Sequence, residues 1–129
     1  MRKITVMLAS RPKLLSEIIR NMIERQPDMK VVGEVLDPLQ LLHTFRQTPV
    51  DVVIIAPLKA NGVPKICQLL LLEYPLLKIV TQSVKGENIY LYQSGTPRLR
   101  IDEPFEQSIL SAIRECIATD RRLVKKEQS

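Results

Sequence analysis

Residues 51–56, Asp-Val-Val-Ile-Ile-Ala, constrain the fold of this chain more than any other segment. Val52 to Ile55 are β-branched and apolar at every position, with no polar alternation to give one face to water. Such a run predicts a strand covered on both faces, at the centre of a sheet, and Pro57 stops it. Ile4 to Ala9 is a second run of nearly the same character. Further strands are read at Met29 to Val35, Leu77 to Gln82 and, as a short last one, Arg98 to Ile101.

Helical stripes separate these runs. Pro12 suits a first helical turn, and Leu15, Ile18, Ile19, Met22 and Ile23 follow at the 3,1,3,1 spacing of one buried face, ended near Gln26-Pro27. Asp37-Pro38 reads as an N-cap and first-turn proline opening a helix that buries Leu41, Leu42 and Phe45 before Pro49. After a loop at Asn61-Gly62, Val63, Ile66, Cys67, Leu70, Leu71 and Tyr74 form a third stripe, which Leu69 and Leu72 widen, with core packing as the first reading. Ile109, Leu110, Ile113, Cys116 and Ile117 mark a closing helix. Five strands alternating with helices through short loops imply right-handed crossovers, hence an α/β fold of three layers with a parallel sheet between helices.

Residues 86–97 fit this alternation least. Their position asks for a fourth helix, and a short one is expected there, yet Asn88 to Tyr92 alternates as a strand would and Ser94-Gly95-Thr96-Pro97 is turn chemistry. If extended, the segment forms a hairpin with Arg98 to Ile101 and changes the sheet edge.

The 129 residues suit one domain, with residues 1–118 as the folded unit and 119–129 as a basic polar tail or linker. A hydrophobic fraction of 45% with 26% charged residues argues for a globular chain. Aromatics at 4%, with no Trp, disfavour a stacking platform for single-stranded nucleic acid. The net charge of +5 is largely terminal, in Arg2, Lys3, Arg121, Arg122, Lys125 and Lys126, where it reads as solvated tail. Cys67 and Cys116 have no CxxC spacing and read as small apolar residues of a reducing compartment. Lacking a signal-peptide pattern and a membrane-length apolar run, the sequence predicts a cytoplasmic protein.

In an open α/β sheet, ligands sit beyond the carboxyl ends of the strands. Those ends carry Ala9 and Ser10, Ala56 and Pro57, Ser83, and Asp102 and Glu103, a set poor in chemistry. The four glycines are scattered singly, so no phosphate-cradling loop is present, and His43, the one histidine, sits on a side helix as an exposed residue. Asp37 reads as a cap and Asp51 as a strand opener, so neither makes a metal site. Without a nucleophile-base set, the sequence predicts a protein that is not an enzyme.

Taken together, Ile4 to Pro12, Val31-Val32-Gly33-Glu34, Asp51 to Ile55, Glu73-Tyr74-Pro75 and Glu103-Pro104-Phe105 resemble the receiver domain of two-component response regulators, especially those with a LuxR-type helix-turn-helix output. The resemblance covers residues 3 to about 118. It implies a flavodoxin-like fold with strand order 2-1-3-4-5. It also implies where chemistry is missing. The family's Mg²⁺-binding acidic pair matches Ala9 and Ser10, its phosphoacceptor aspartate matches Ala56, and its phosphoryl-contacting lysine matches Glu103, leaving Ser83 as the matching switch hydroxyl. A methyl group and a neutral hydroxyl do not replace the carboxylates that a hard cation needs, so neither Mg²⁺ nor another cofactor is expected.

If chemistry is lost, function lies on surfaces. Tyr90, Tyr92, Leu99 and Phe105 concentrate near the expected fourth helix, last strand and fifth helix, the face with which the family dimerises and meets partners. The expectation is a phosphorylation-independent signalling or dimerisation module in transcriptional regulation, with DNA reached through a separate output domain. Two alternatives stay open. One is a small-molecule sensor using the vacated crevice near Ala9, Ala56 and Ser83. The other is a nucleic-acid-binding module using Arg11, Lys13, Arg98, Arg100 and the tail.

Overall fold

The computed structural model describes residues 3–10, 13–35, 40–58, 65–83, 89–101 and 106–128. Among these residues, six strands and four helices follow one another as β1 (Ile4–Ser10), α1 (Lys13–Glu24), β2 (Met29–Val35), α2 (Leu41–Gln47), β3 (Val52–Leu58), α3 (Lys65–Glu73), β4 (Lys78–Ser83), β5 (Ile89–Tyr92), β6 (Leu99–Ile101) and α4 (Glu106–Gln128). The strands form one sheet in the order β2-β1-β3-β4-β5-β6. From β2 to β4 neighbouring strands are parallel, and the apolar runs at β1 and β3 lie side by side in its interior.

Strand alternation divides the core in two. Val6, Leu8, Val52, Ile54 and Val80 face the layer of α1 and α4, where they pack with Ile19, Ile23, Leu110 and Ile113. Met7, Val53, Ile55 and Ile79 face the layer of α2 and α3, where Phe45, Cys67 and Leu70 meet them. The expected three-layer α/β architecture is therefore present.

The sheet departs from five parallel strands at one edge. Ile89 to Tyr92, placed by the alternation rule in a fourth helix, is strand β5, antiparallel to β4 and, on its other side, to β6. The side chains explain why. Ile89 and Leu91 are buried against the α1/α4 layer while Tyr92 is buried on the other face, a period of two that a helix would scramble. Gly95, at φ 79°, supplies the left-handed residue of the connection to β6. The hairpin moves the last strand one place outward and gives the order a sixth member. Residues 84–88 lie outside the described residues, as do the proposed cap and first-turn proline Asp37 and Pro38, together with Pro12 and Asn61-Gly62.

Three smaller expectations are also revised. Ile18, assigned to the buried stripe of α1, is 57% exposed, because Ser16, Ile19, Met22 and Ile23 already fill that face. Leu69 and Leu72 on α3 are exposed rather than core, since a helix on a flat sheet buries one narrow stripe, here Cys67 and Leu70. The closing helix does not stop near residue 118 but continues through the basic segment to Gln128. No helix among the described residues is long and apolar enough to cross a membrane.

Candidate functional site

The carboxyl ends of β1 and β3 adjoin at the crest of the sheet, where Ser10 pairs in register with Ala56 and Ala9 with Ile55. Pro57 shapes the far side of this crest. Between Ile55, opposite Thr81, and Leu58, opposite Ser83, two β3 residues face one on β4, a bulge that accommodates a residue without an N–H to give the ladder. Ser83 thus ends β4 beside the extended tip of β3. The structure brings Ser10 and Ala56 together as the resemblance implies, with Ser83 at the next strand end, while Glu103 and Phe105 lie outside the described residues.

Crest chemistry follows from what is buried there. Ala56 is 1% exposed and joins the α1/α4 core, while Ala9 is 3% exposed and joins the α2/α3 core. Their methyl groups point to opposite faces and are covered by apolar neighbours. A methyl group has no lone pair for a cation and no oxygen for a phosphoryl group. Covered methyls also present no wall to a ligand, which weighs against the crevice-sensor alternative at these two positions. Among the described residues no group of three His, Cys, Asp or Glu side chains converges as a metal-binding set. An open depression lined by Asn21, Glu24 and Arg25 lies at the C-terminal end of α1, away from the crest.

Much of the chain's charged chemistry instead sits where strands begin. The Asp51 carboxylate accepts hydrogen bonds from Thr5 N (2.9 Å) and Thr5 Oγ1 (3.1 Å), and Thr5 Oγ1 accepts in turn from Asp51 N (3.0 Å). This reciprocal clasp locks the starts of β1 and β3 and gives Asp51 a structural role. Arg114 on α4 forms a two-pronged pair with Asp28, at 2.8 and 3.0 Å, and also reaches Gln26 Oε1 at 2.6 Å. Its guanidinium, by hydrogen bond above all, holds the Asp28 carboxyl below the usual carboxylate range. Lys78, buried at the start of β4, lays its ammonium against Asp120 of α4 at 2.5 Å. Sequence periodicity missed this pair, although a lysine opening an otherwise apolar strand was the available signal.

Both cysteines are free. Burial pushes the Cys67 thiol up to about 12, and Cys116, half-buried, is also raised by desolvation although Lys78 pulls it the other way. His43 is exposed on α2, as its position suggested.

The expected interface residues divide. Tyr92 is 4% exposed within the α2/α3 core and is no surface anchor, because β5 turns alternate side chains into opposite cores. Tyr90 is half-buried, with its ring covered by the Arg98 guanidinium 4.2 Å from the centroid. Leu99 on β6 is 51% exposed. The face attributed to a fourth helix is therefore made by the β5–β6 hairpin.

Apart from the antiparallel hairpin at one edge, the fold is similar to that of response-regulator receiver domains. The chain is similar to a LuxR-family two-component response regulator from Aurantimonas sp. SI85-9A1, at 23% identity and a TM-score of 0.54, over 63% of this chain and 59% of that one. It is similar to the response regulator domain of Thermotoga maritima CheB at 21% identity and TM-score 0.54, over 64% of this chain and 61% of that one. RcsB from Salmonella enterica serovar Typhimurium, solved bound to promoter P1flhDC in the presence of phosphomimetic BeF3−, matches at 19% identity and TM-score 0.54, over 64% of this chain and 42% of its own. The match thus spans less than two thirds of each of these chains. No protein-family model and no curated protein matches the sequence.

Proposed function

We propose that this chain is a receiver-type domain working without phosphorylation, as a non-enzymatic signalling or dimerisation module in transcriptional regulation, through protein contact at the β5–β6 hairpin. One observation carries the reading: the position matching the phosphoacceptor is Ala56, whose methyl group is buried at the end of β3 beside Ser10. In a working receiver, clustered carboxylates repel one another until a cation and phosphoryl group neutralise them. Apolar closure of the crest removes that tension, so the domain holds one conformation and its signal is carried by contact.

The transcriptional setting is supported by two of the similar proteins, one of the LuxR family and one bound to a promoter. The geometry of α4 adds to this. At about 1.5 Å per residue, its 23 residues extend about 34 Å, and Ile117 is the last of them that packs in the core among the described side chains. The test is an amide NMR spectrum recorded with and without beryllofluoride and Mg²⁺. An unchanged spectrum is expected, and shifts clustered around Ala56 overturn the reading. Light scattering over a range of concentrations, on wild type and on Tyr90→Asp with Leu99→Asp, tests the dimer: a chain monomeric throughout removes it.

A further inference from the structure

Five large apolar side chains are exposed among the described residues, and three of them, Leu69, Leu72 and Leu76, belong to α3 and the turn that follows it. Leu72 is 78% exposed. On a helix, Lys65, Leu69 and Leu72 stand at i, i+4 and i+7, which is one stripe, and Glu73, four residues beyond Leu69, borders it. All four are exposed. This stripe is turned away from Cys67 and Leu70, which are buried in the core beneath α3.

Charge on α3 runs against the helix dipole. Lys65 opens the helix and Glu73 closes it, with no acid in the first turn and no base in the last. A cation at the positive N-terminal end and an anion at the negative C-terminal end are each unfavourable for a helix taken alone. Read from its other end, the exposed face runs Glu, Leu, Leu, Lys, which complements the same face read forwards.

We propose that α3 is a self-association surface, on which a second copy of this chain lays its own α3 antiparallel, across a two-fold axis passing between Leu69 and Leu72. Leu69 of each copy then meets Leu72 of the other. Lys65 comes to the C-terminal end of the facing helix, within about one turn (about 5.4 Å along the axis) of Glu73 on that copy. A parallel arrangement would set Lys65 beside Lys65 and Glu73 beside Glu73, so charge selects the antiparallel one. Arg46 lies 3.5 Å from Glu73 Oε1, and the contact does not need it to leave: a carboxylate has two oxygens, and a second cation adds to the first. Three leucines per copy cover far less than the about 800 Å² per partner of a standard interface, so the pair is weak and reversible. The inference goes beyond the hairpin reading, since α3 supplies the self-contact and leaves β5 and β6 to a different protein.

The test is analytical ultracentrifugation of the full chain from about 10 µM to about 1 mM at low salt, where a monomer–dimer equilibrium is expected. Leu69→Gln with Leu72→Gln should weaken it about tenfold or more, with thermal unfolding unchanged because both side chains are exposed. Lys65→Glu alone and Glu73→Lys alone should each weaken it about threefold or more. The double exchange, and an equal mixture of the two single variants, should restore it. The double exchange also puts each charge at its favoured helix end, so the test survives if the leucine variant fails to fold. A wild type monomeric at every concentration, a leucine variant that dimerises as wild type does, or a mixture no tighter than its components overturns the proposal. Loss of the dimer in a folded Tyr90→Asp, Leu99→Asp variant does so too, and assigns the self-contact to the hairpin. The beryllofluoride spectrum is read apart from all of these, so failure at α3 and failure of the phosphorylation-independent reading are distinguishable.

Discussion

Ala56→Asp places a carboxyl at the position that the resemblance to receiver domains matches to the phosphoacceptor, and the structure sets its cost. The site is 1% exposed and packed with Ile54, Val80 and the α1/α4 layer. Full burial raises a carboxyl by about 3 to 5 pH units, and each unit is about 1.36 kcal/mol between the two protonation states. A rise of about 3 units, from about 3.9 to about 7, therefore costs about 4 kcal/mol at pH 7. Forcing the larger group into a packed site adds about 1 to 3 kcal/mol at any pH. The sign follows from linkage: with the folded pKa above the unfolded one, the ionisation penalty is absent below about pH 4, grows as pH rises, and is complete near pH 7. Urea unfolding of wild type and variant at pH 7 and pH 4 checks this, with the difference in stability expected to shrink by about 3 to 4 kcal/mol at the lower pH. Mg²⁺ should not rescue the variant, because Ala9 and Ser10 add no second carboxylate. A variant within about 1 kcal/mol of wild type at both pH values refutes the reasoning, since the crest would then admit water.

Removing the Asp51 carboxylate (Asp51→Ala) orphans the Thr5 N–H and hydroxyl, with an expected cost of about 1 to 3 kcal/mol in chemical unfolding; Thr5→Val combined with it should be less than additive. Asp28, whose carboxyl lies below its ordinary range, stabilises the fold above the unfolded carboxyl value near 4, and this contribution disappears as pH falls through the folded value. Asp28→Asn should thus cost about 0.5 to 1 kcal/mol at pH 7, as for a solvent-screened pair, and progressively less as the pH is lowered below about 4. With a thiol reagent at pH 8, Cys116 should react first and Cys67 only on unfolding, a difference readable by mass spectrometry of the labelled chain.

The interior of the fold was legible in local pattern. Val52 to Ile55 announced a central strand because such residues are stable only with both faces covered, and the structure buries all four. The crest was legible too, in that Ala9 and Ala56 fall within two residues of strand ends, although β3 runs on past Pro57 to Leu58. Two kinds of feature escaped. Residues 89–92 alternate with period two, yet their place in the helix-strand rhythm argued for a helix, and tertiary pairing with β4 decided the matter. Pairs such as Lys78 with Asp120 and Arg114 with Asp28 join residues 42 and 86 positions apart, beyond the reach of periodicity.

By itself the amino-acid order determined the number of layers, the central strands and the absence of a nucleophile at position 56. These depend on side-chain chemistry within a few residues, which every copy of the chain carries before it folds. Tertiary structure alone decided which strands end the described sheet, which tyrosine is buried and which charges meet. A strand's outer neighbour is fixed by hydrogen bonds to distant segments, and Tyr90 and Tyr92 differ in exposure because what packs over each one differs, although both rings lie on one face of the sheet.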